Sequence, residues 1–83
     1  KDAWADLCRG RIDVVAKKGR DTYIIEVKPR ARGDAIGDAQ MNTILYELDH
    51  PEDLPVYSAI VTDVIIPNTQ IVADVLGIFL WTP

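Results

Sequence analysis

Two short runs rich in β-branched residues, Arg11 to Ala16 (RIDVVA) and Thr22 to Lys28 (TYIIEVK), flank the turn-forming segment Lys17-Lys18-Gly19-Arg20-Asp21. Strands favour the first kind of residue and turns the second, and Gly19 accepts positive φ, so residues 11–28 are expected to form a β-hairpin. If Lys17 pairs with Thr22, residue numbers across the ladder sum to 39, placing Asp13 opposite Glu26, Val15 opposite Ile24 and Arg11 opposite Lys28. Directly opposed side chains have Cβ atoms about 4.5–5.5 Å apart. A slip by one residue would turn one acid into the face of Ile12, Val14, Ile25 and Val27, so the apolar pattern favours the register that brings the acids together. Two carboxylates at that separation repel and need a cation or a shared proton. They suit a solvated hairpin face on which Lys28 pairs with the acids. They also suit a sheltered hard-cation site, since Val15 and Ile24 share their face and Mg²⁺ prefers oxygen ligands.

The remaining chain alternates helical and strand patterns. Pro29 should end the second strand, with Arg30-Ala31-Arg32-Gly33 as a loop. Asp34 is expected to cap a helix reaching Asp49, its apolar positions Ile36, Met41, Ile44, Leu45 and Leu48 recurring at three- and four-residue spacing. After the turn His50–Pro55, Val56–Thr62 reads as a strand. Asn68 should cap a short helix that Gly77 stops, and Ile78–Trp81 closes the chain as a strand. The order β-β-α-β-α-β predicts an α/β fold, a mixed β-sheet flanked by helices, partly parallel and buried on both faces. Eighty-three residues, 48% hydrophobic and 27% charged, suffice for a single globular domain. No apolar stretch approaches the ~20 residues that span a bilayer, so no membrane partner is expected. Cys8 is the single cysteine, which excludes an internal disulfide and a four-cysteine metal centre within this chain. A soluble intracellular, cytoplasmic protein is the default expectation.

The net charge of −4 conceals a strong asymmetry. All nine Lys and Arg lie in residues 1–32 beside five acids, giving +4, whereas residues 33–83 carry eight acids and neither Lys nor Arg, giving −8. A basic segment of this kind either faces a polyanion or is simply solvated.

Ile12-Asp13, twelve intervening residues and Glu26-Val27-Lys28, within a strand–turn–strand–helix–strand context, resemble the PD-(D/E)xK nuclease superfamily. The text GRIDVVAKKGRDTYIIEVKPRAR is most similar to its RecB-like, mismatch-endonuclease and archaeal Holliday-junction-resolvase branches, and the resemblance covers residues ~9–66. It implies a restriction-endonuclease-like core and a metal-dependent deoxyribonuclease, an endonuclease or exonuclease of the DNA-repair kind, that hydrolyses phosphodiesters with a metal-activated water. On that reading Asp13, Glu26 and the Val27 carbonyl ligate Mg²⁺ or Mn²⁺, and Lys28 positions the water and stabilises the phosphate. RecB-like members add a Gln-x-x-x-Tyr motif on the next helix. Gln40, in line with Ile36, Ile44 and Leu48, is the candidate here, either aimed at the metal or buried against backbone. Ile44 rather than Tyr follows it by four, and Tyr46 lies on another side of the helix. The family also has a helix and a strand before the Asp, whereas about ten residues precede Arg11. The chain, taken as one nuclease-like domain over 1–83, is therefore expected either to have an abbreviated lead-in, with Asp2 or Asp6 standing in, or to be a fragment lacking its first helix and strand.

Arg11, Arg30 and Arg32 lie beside the proposed metal and are candidate phosphate contacts, with DNA as the partner; solvated loop arginines are the alternative. Lys17, Lys18 and Arg20 suit solubility. His50 and Ser58, each single in the sequence, are the only pair from which a Ser–His–acid triad could be drawn, and a thiol hydrolase would have to use Cys8. Trp4, Phe79 and Trp81 suit packing more than base stacking, and the apolar C-terminal strand makes a homodimer conceivable. The principal rival to a nuclease is a catalytically inactive module on the same fold, serving nucleic-acid binding or protein assembly.

Overall fold

The computed structural model describes residues 14–83. Strand β1 (Val14–Lys18) turns through Gly19-Arg20 into β2 (Asp21–Arg30), and Gly19 takes φ +62° as the tight connection requires. The ladder pairs Val14 with Ile25, Val15 with Ile24 and Lys17 with Thr22, the register expected from the apolar pattern. Helix α1 (Gly33–Asp49) follows, then a 3₁₀ turn (Pro51–Asp53), β3 (Val56–Val64), α2 (Pro67–Leu76) and β4 (Phe79–Trp81). The strands lie in the order β1-β2-β3-β4, with β1 antiparallel to β2 and the other pairs parallel. The described residues thus form a small α/β unit with a four-stranded mixed sheet. Its two helices are the crossovers between parallel strands.

Several boundaries differ from expectation for identifiable reasons. β2 runs through Pro29 to Arg30, which pairs with Val64; a proline lacking an N–H is tolerated because Lys28 and Arg30 on either side keep the pairing. α1 begins at Gly33 with Arg32 as its N-cap, so Asp34 sits inside the first turn, where its charge favours the helix dipole instead of capping. α2 starts on Pro67 with Ile66 before it, so proline at the first position, rather than an Asn68 cap, sets that end. Gly77 stops α2 in the left-handed conformation at φ +72°.

Both helices pack on the sheet face that carries Ile24, Glu26, Ser58 and Ile60. The apolar core there joins Ala31, Ala35, Ile36, Ala39, Ile60, Ala73 and Ile78, with Leu80 at its margin. Alanine at 31, 35, 39 and 73 lets backbones approach closely, which also presses polar side chains of α1 against the strands. Hydroxyls anchor the exit of β2: Thr62 Oγ1 donates to Pro29 O (3.2 Å) and accepts from Ala31 N–H (3.2 Å), and Thr69 Oγ1 donates to Ala31 O (3.1 Å). On the opposite sheet face, Tyr23, Tyr57, Phe79 and Trp81 pack ring on ring at centroid separations of 5.4–6.2 Å. Phe79 is 43% and Val27 51% exposed, so among the described residues the expectation of a sheet buried on both faces holds for the helix side alone. No described helix is long and apolar enough to cross a membrane.

Candidate functional site

Glu26 lies in the middle of β2, beside Ile60 of β3, and is 2% exposed beneath α1. Alternation along the strand places its side chain on the same face as Ile24 and Lys28. A carboxylate so enclosed must have hydrogen-bond partners. One is Asn42 of α1, whose Nδ2 donates to Glu26 Oε1 at 2.6 Å. Asn42 is fully buried, and its Oδ1 has no hydrogen-bond partner. Rotating the amide would set that oxygen against the carboxylate, so Glu26 dictates the orientation and leaves an acceptor oxygen beside an acid. Carboxylate and amide oxygens are the donor types that hard cations take. Lys28 is partly exposed, and its Nζ lies 3.4 Å from Asp38 Oδ2 of α1, a stretched pair that leaves the ammonium near the surface.

Of the other residues singled out in the sequence, Asp13 and Arg11 lie outside the described residues, as do Asp2, Trp4, Asp6 and Cys8. Arg30 and Arg32 are exposed where β2 leaves the sheet and enters α1. Gln40 lies elsewhere on α1 than Asn42. It lines a cleft with Thr43, Ile44, Ser58 and the Leu76–Ile78 corner. The expected inward stripe of Ile36, Gln40, Ile44 and Leu48 fails because its C-terminal half faces out, with Ile44 55% and Leu48 76% exposed. The stripe that packs on the sheet is Ala35, Ala39, Asn42 and Tyr46, whose small residues permit the closer approach. Asn42 and Tyr46 are four residues apart and both buried. A spacing of four, three and four residues through Ala35, Ala39, Asn42 and Tyr46 marks this face in the sequence, against the more hydrophobic Ile44 and Leu48.

A second polar cluster sits at the other end of the sheet. Asp53 Oδ1 accepts from Lys17 Nζ at 2.6 Å and Asp53 Oδ2 from the Tyr46 hydroxyl at 2.6 Å, while the His50 ring stacks on Tyr46 at 4.4 Å. Ligand atoms of His50, Glu52 and Asp53 come within 4.8 Å of one another. The Lys17 ammonium already neutralises Asp53, so this arrangement acts as a clasp between β1 and the α1–β3 connection rather than as a metal cradle. The Ser–His–acid triad is not assembled either. Ser58 Oγ donates to Ala39 O at 3.0 Å and meets Thr43, whereas His50 faces Asp49 and Glu52.

The clasp predicts a pH signature. Hydrogen bonds from Lys17 and Tyr46 hold the Asp53 carboxyl below its ordinary 3.8, so its contribution is present above that pH and is lost as pH falls further. Burial and the Asp53 bond push the Tyr46 phenol up to about 12. Its contribution is complete below the ordinary 10.0 and disappears as pH rises through about 12. Urea midpoints measured across pH should therefore fall at both extremes, and Tyr46→Phe should remove the alkaline limb at a cost of about 1 kcal/mol at neutral pH.

No protein-family model, curated protein or solved structure matches this chain. A functional reading therefore rests on the site itself: an enclosed carboxylate beside an oriented amide, an amine two residues on, and two exposed guanidinium groups at the exit of the same strand.

Proposed function

We propose that this chain is a metal-dependent deoxyribonuclease domain of the PD-(D/E)xK kind, built on a restriction-endonuclease-like core. The observation that carries the reading is the buried Glu26, held by Asn42 beside an unpartnered amide oxygen, with Lys28 following on the same face. Packing alone gives no reason to enclose a carboxylate at the centre of a small sheet, because burying charge is costly. The ladder observed for residues 14–18 supports a pairing in which Asp13 would stand opposite Glu26. Asp13, Glu26 and the Val27 carbonyl would then hold Mg²⁺ or Mn²⁺, which when bound supplies Lewis acidity and a water of lowered pKa. Lys28 neutralises charge on the phosphate and orients the attacking water, and Arg11, Arg30 and Arg32 hold the DNA backbone.

The test is direct. Plasmid, single-stranded and branched DNA substrates should be cut in Mg²⁺ or Mn²⁺ and left intact in EDTA. Cleavage that persists in EDTA would overturn the metal-dependent reading. Binding to DNA without cutting in either metal would favour the rival, an inactive module of the same fold. One observation favours that rival's assembly role: every charged side chain on α1 and α2 is acidic.

A further inference from the structure

Near the middle of α1, Asn42 is a polar side chain with no exposure, set in the stripe of Ala35, Ala39 and Tyr46 that seats on the sheet. Four residues of helix rise about 6 Å and two residues of strand about 6.6 Å, so positions 38 and 42 of α1 can fall over positions 28 and 26 of β2. The observed contacts follow that match. Asp38 Oδ2 lies 3.4 Å from Lys28 Nζ, and Asn42 Nδ2 donates to Glu26 Oε1 at 2.6 Å. Asn42 Oδ1 hangs on the same carbon as Nδ2, stays beside the carboxylate, and has no hydrogen-bond partner among the described residues. An unmet buried acceptor is costly, and a leucine of similar size would avoid that cost. Packing alone does not account for the amide.

We propose that Asn42 is a specificity-determining residue of the cation site, selecting Mg²⁺ or Mn²⁺ over Ca²⁺ by leaving Glu26 only one oxygen to give. The inference rests on the metal-dependent reading above and adds to it the choice of ion. Because Asn42 Nδ2 engages Glu26 Oε1, a cation takes this carboxylate through its other oxygen alone. Both residues sit inside regular secondary structure, Asn42 on a short side chain and Glu26 2% exposed, so neither swings aside to offer a second oxygen. Mg²⁺ takes about six oxygens in tight octahedral order and keeps several of them as water, which suits single-oxygen ligation. Ca²⁺ gathers about six to eight at longer distances and gains from carboxylates that give both oxygens. Water retained on the smaller ion is a hydrogen-bond donor, the kind of partner that Asn42 Oδ1 lacks.

The test reads binding rather than cleavage. Mn²⁺ bound to the whole chain is counted by electron paramagnetic resonance, with Mg²⁺ and Ca²⁺ as competitors and no DNA present. The parent chain should bind Mn²⁺ at least about tenfold more tightly than Ca²⁺, and Glu26→Gln should lose the site. Asn42→Asp keeps the shape, withdraws the N–H from Glu26 Oε1 and adds an acceptor, and should shift the preference toward Ca²⁺ by about tenfold or more. Tyr46→Phe loosens the same helix at its clasp without touching Glu26 and should leave the preference unchanged, which separates ion selection from loss of stability. A parent chain that takes Ca²⁺ as readily as Mn²⁺ overturns the proposal whether or not the variants fold. So does an Asn42→Asp chain with the parent's preference. Failure of the parent to bind Mg²⁺ or Mn²⁺ overturns the metal-dependent reading along with it, whereas selective binding without DNA cleavage would sink the nuclease reading and leave this one standing.

Discussion

Glu26→Gln should eliminate Mg²⁺-dependent DNA cleavage, by at least about 10³-fold, while DNA binding stays within a few-fold of the parent chain. The substitution keeps size and hydrogen-bonding capacity but removes the negative charge that a divalent ion requires. Lys28→Ala should lower cleavage by about 10²–10³-fold, the range associated with losing one group aimed at developing charge. On the proposed reading binding should survive both changes, because Arg30 and Arg32 stay exposed at the strand exit and would hold the backbone through phosphate contacts that need no metal. Single-turnover cleavage and anisotropy on the same substrates separate the two quantities. Undiminished cutting by both variants would remove Glu26 and Lys28 from the chemistry.

The second large effect concerns folding. Asn42→Ala should destabilise the chain by about 3 kcal/mol in urea unfolding, since it takes the amide N–H from an enclosed carboxylate and leaves a void. A surface substitution would cost a fraction of that. The double variant Glu26→Leu with Asn42→Leu should recover most of the loss, because replacing both members of a buried polar pair by apolar groups removes the unmet demand for hydrogen bonds. If Asn42→Ala proves as costly in the Glu26→Leu background as in the parent, the two side chains are not coupled and the amide has another role.

The hairpin was legible because two independent cues agreed: the β-branched pairs Val14-Val15 and Ile24-Ile25, and a glycine where the turn needs positive φ. The crossovers were legible because helical patterns separate Val56–Val64 and Phe79–Trp81 from the strands they join. The inward face of α1 was not. Its leucine and isoleucine residues drew the apolar stripe toward Ile44 and Leu48, yet the helix seats its alanines on the sheet and leaves those large side chains outside. Where a helix must approach a strand closely enough for Asn42 to reach Glu26, side-chain volume decides the face and hydrophobicity follows.

The threonine hydroxyls that tie Pro29 and Ala31 to β3 and α2 have a consequence for how such a chain can diversify. They hold the main chain at Pro29 and Ala31 by side chains of β3 and α2, so the span from Glu26 to Arg30 and Arg32 behaves as a fixed ruler. If Arg30 and Arg32 hold the substrate as proposed, substrate preference can drift by exchange of the side chains at the far end. Lengthening that connection by even one residue would break the fastening and put the ruler out of gauge.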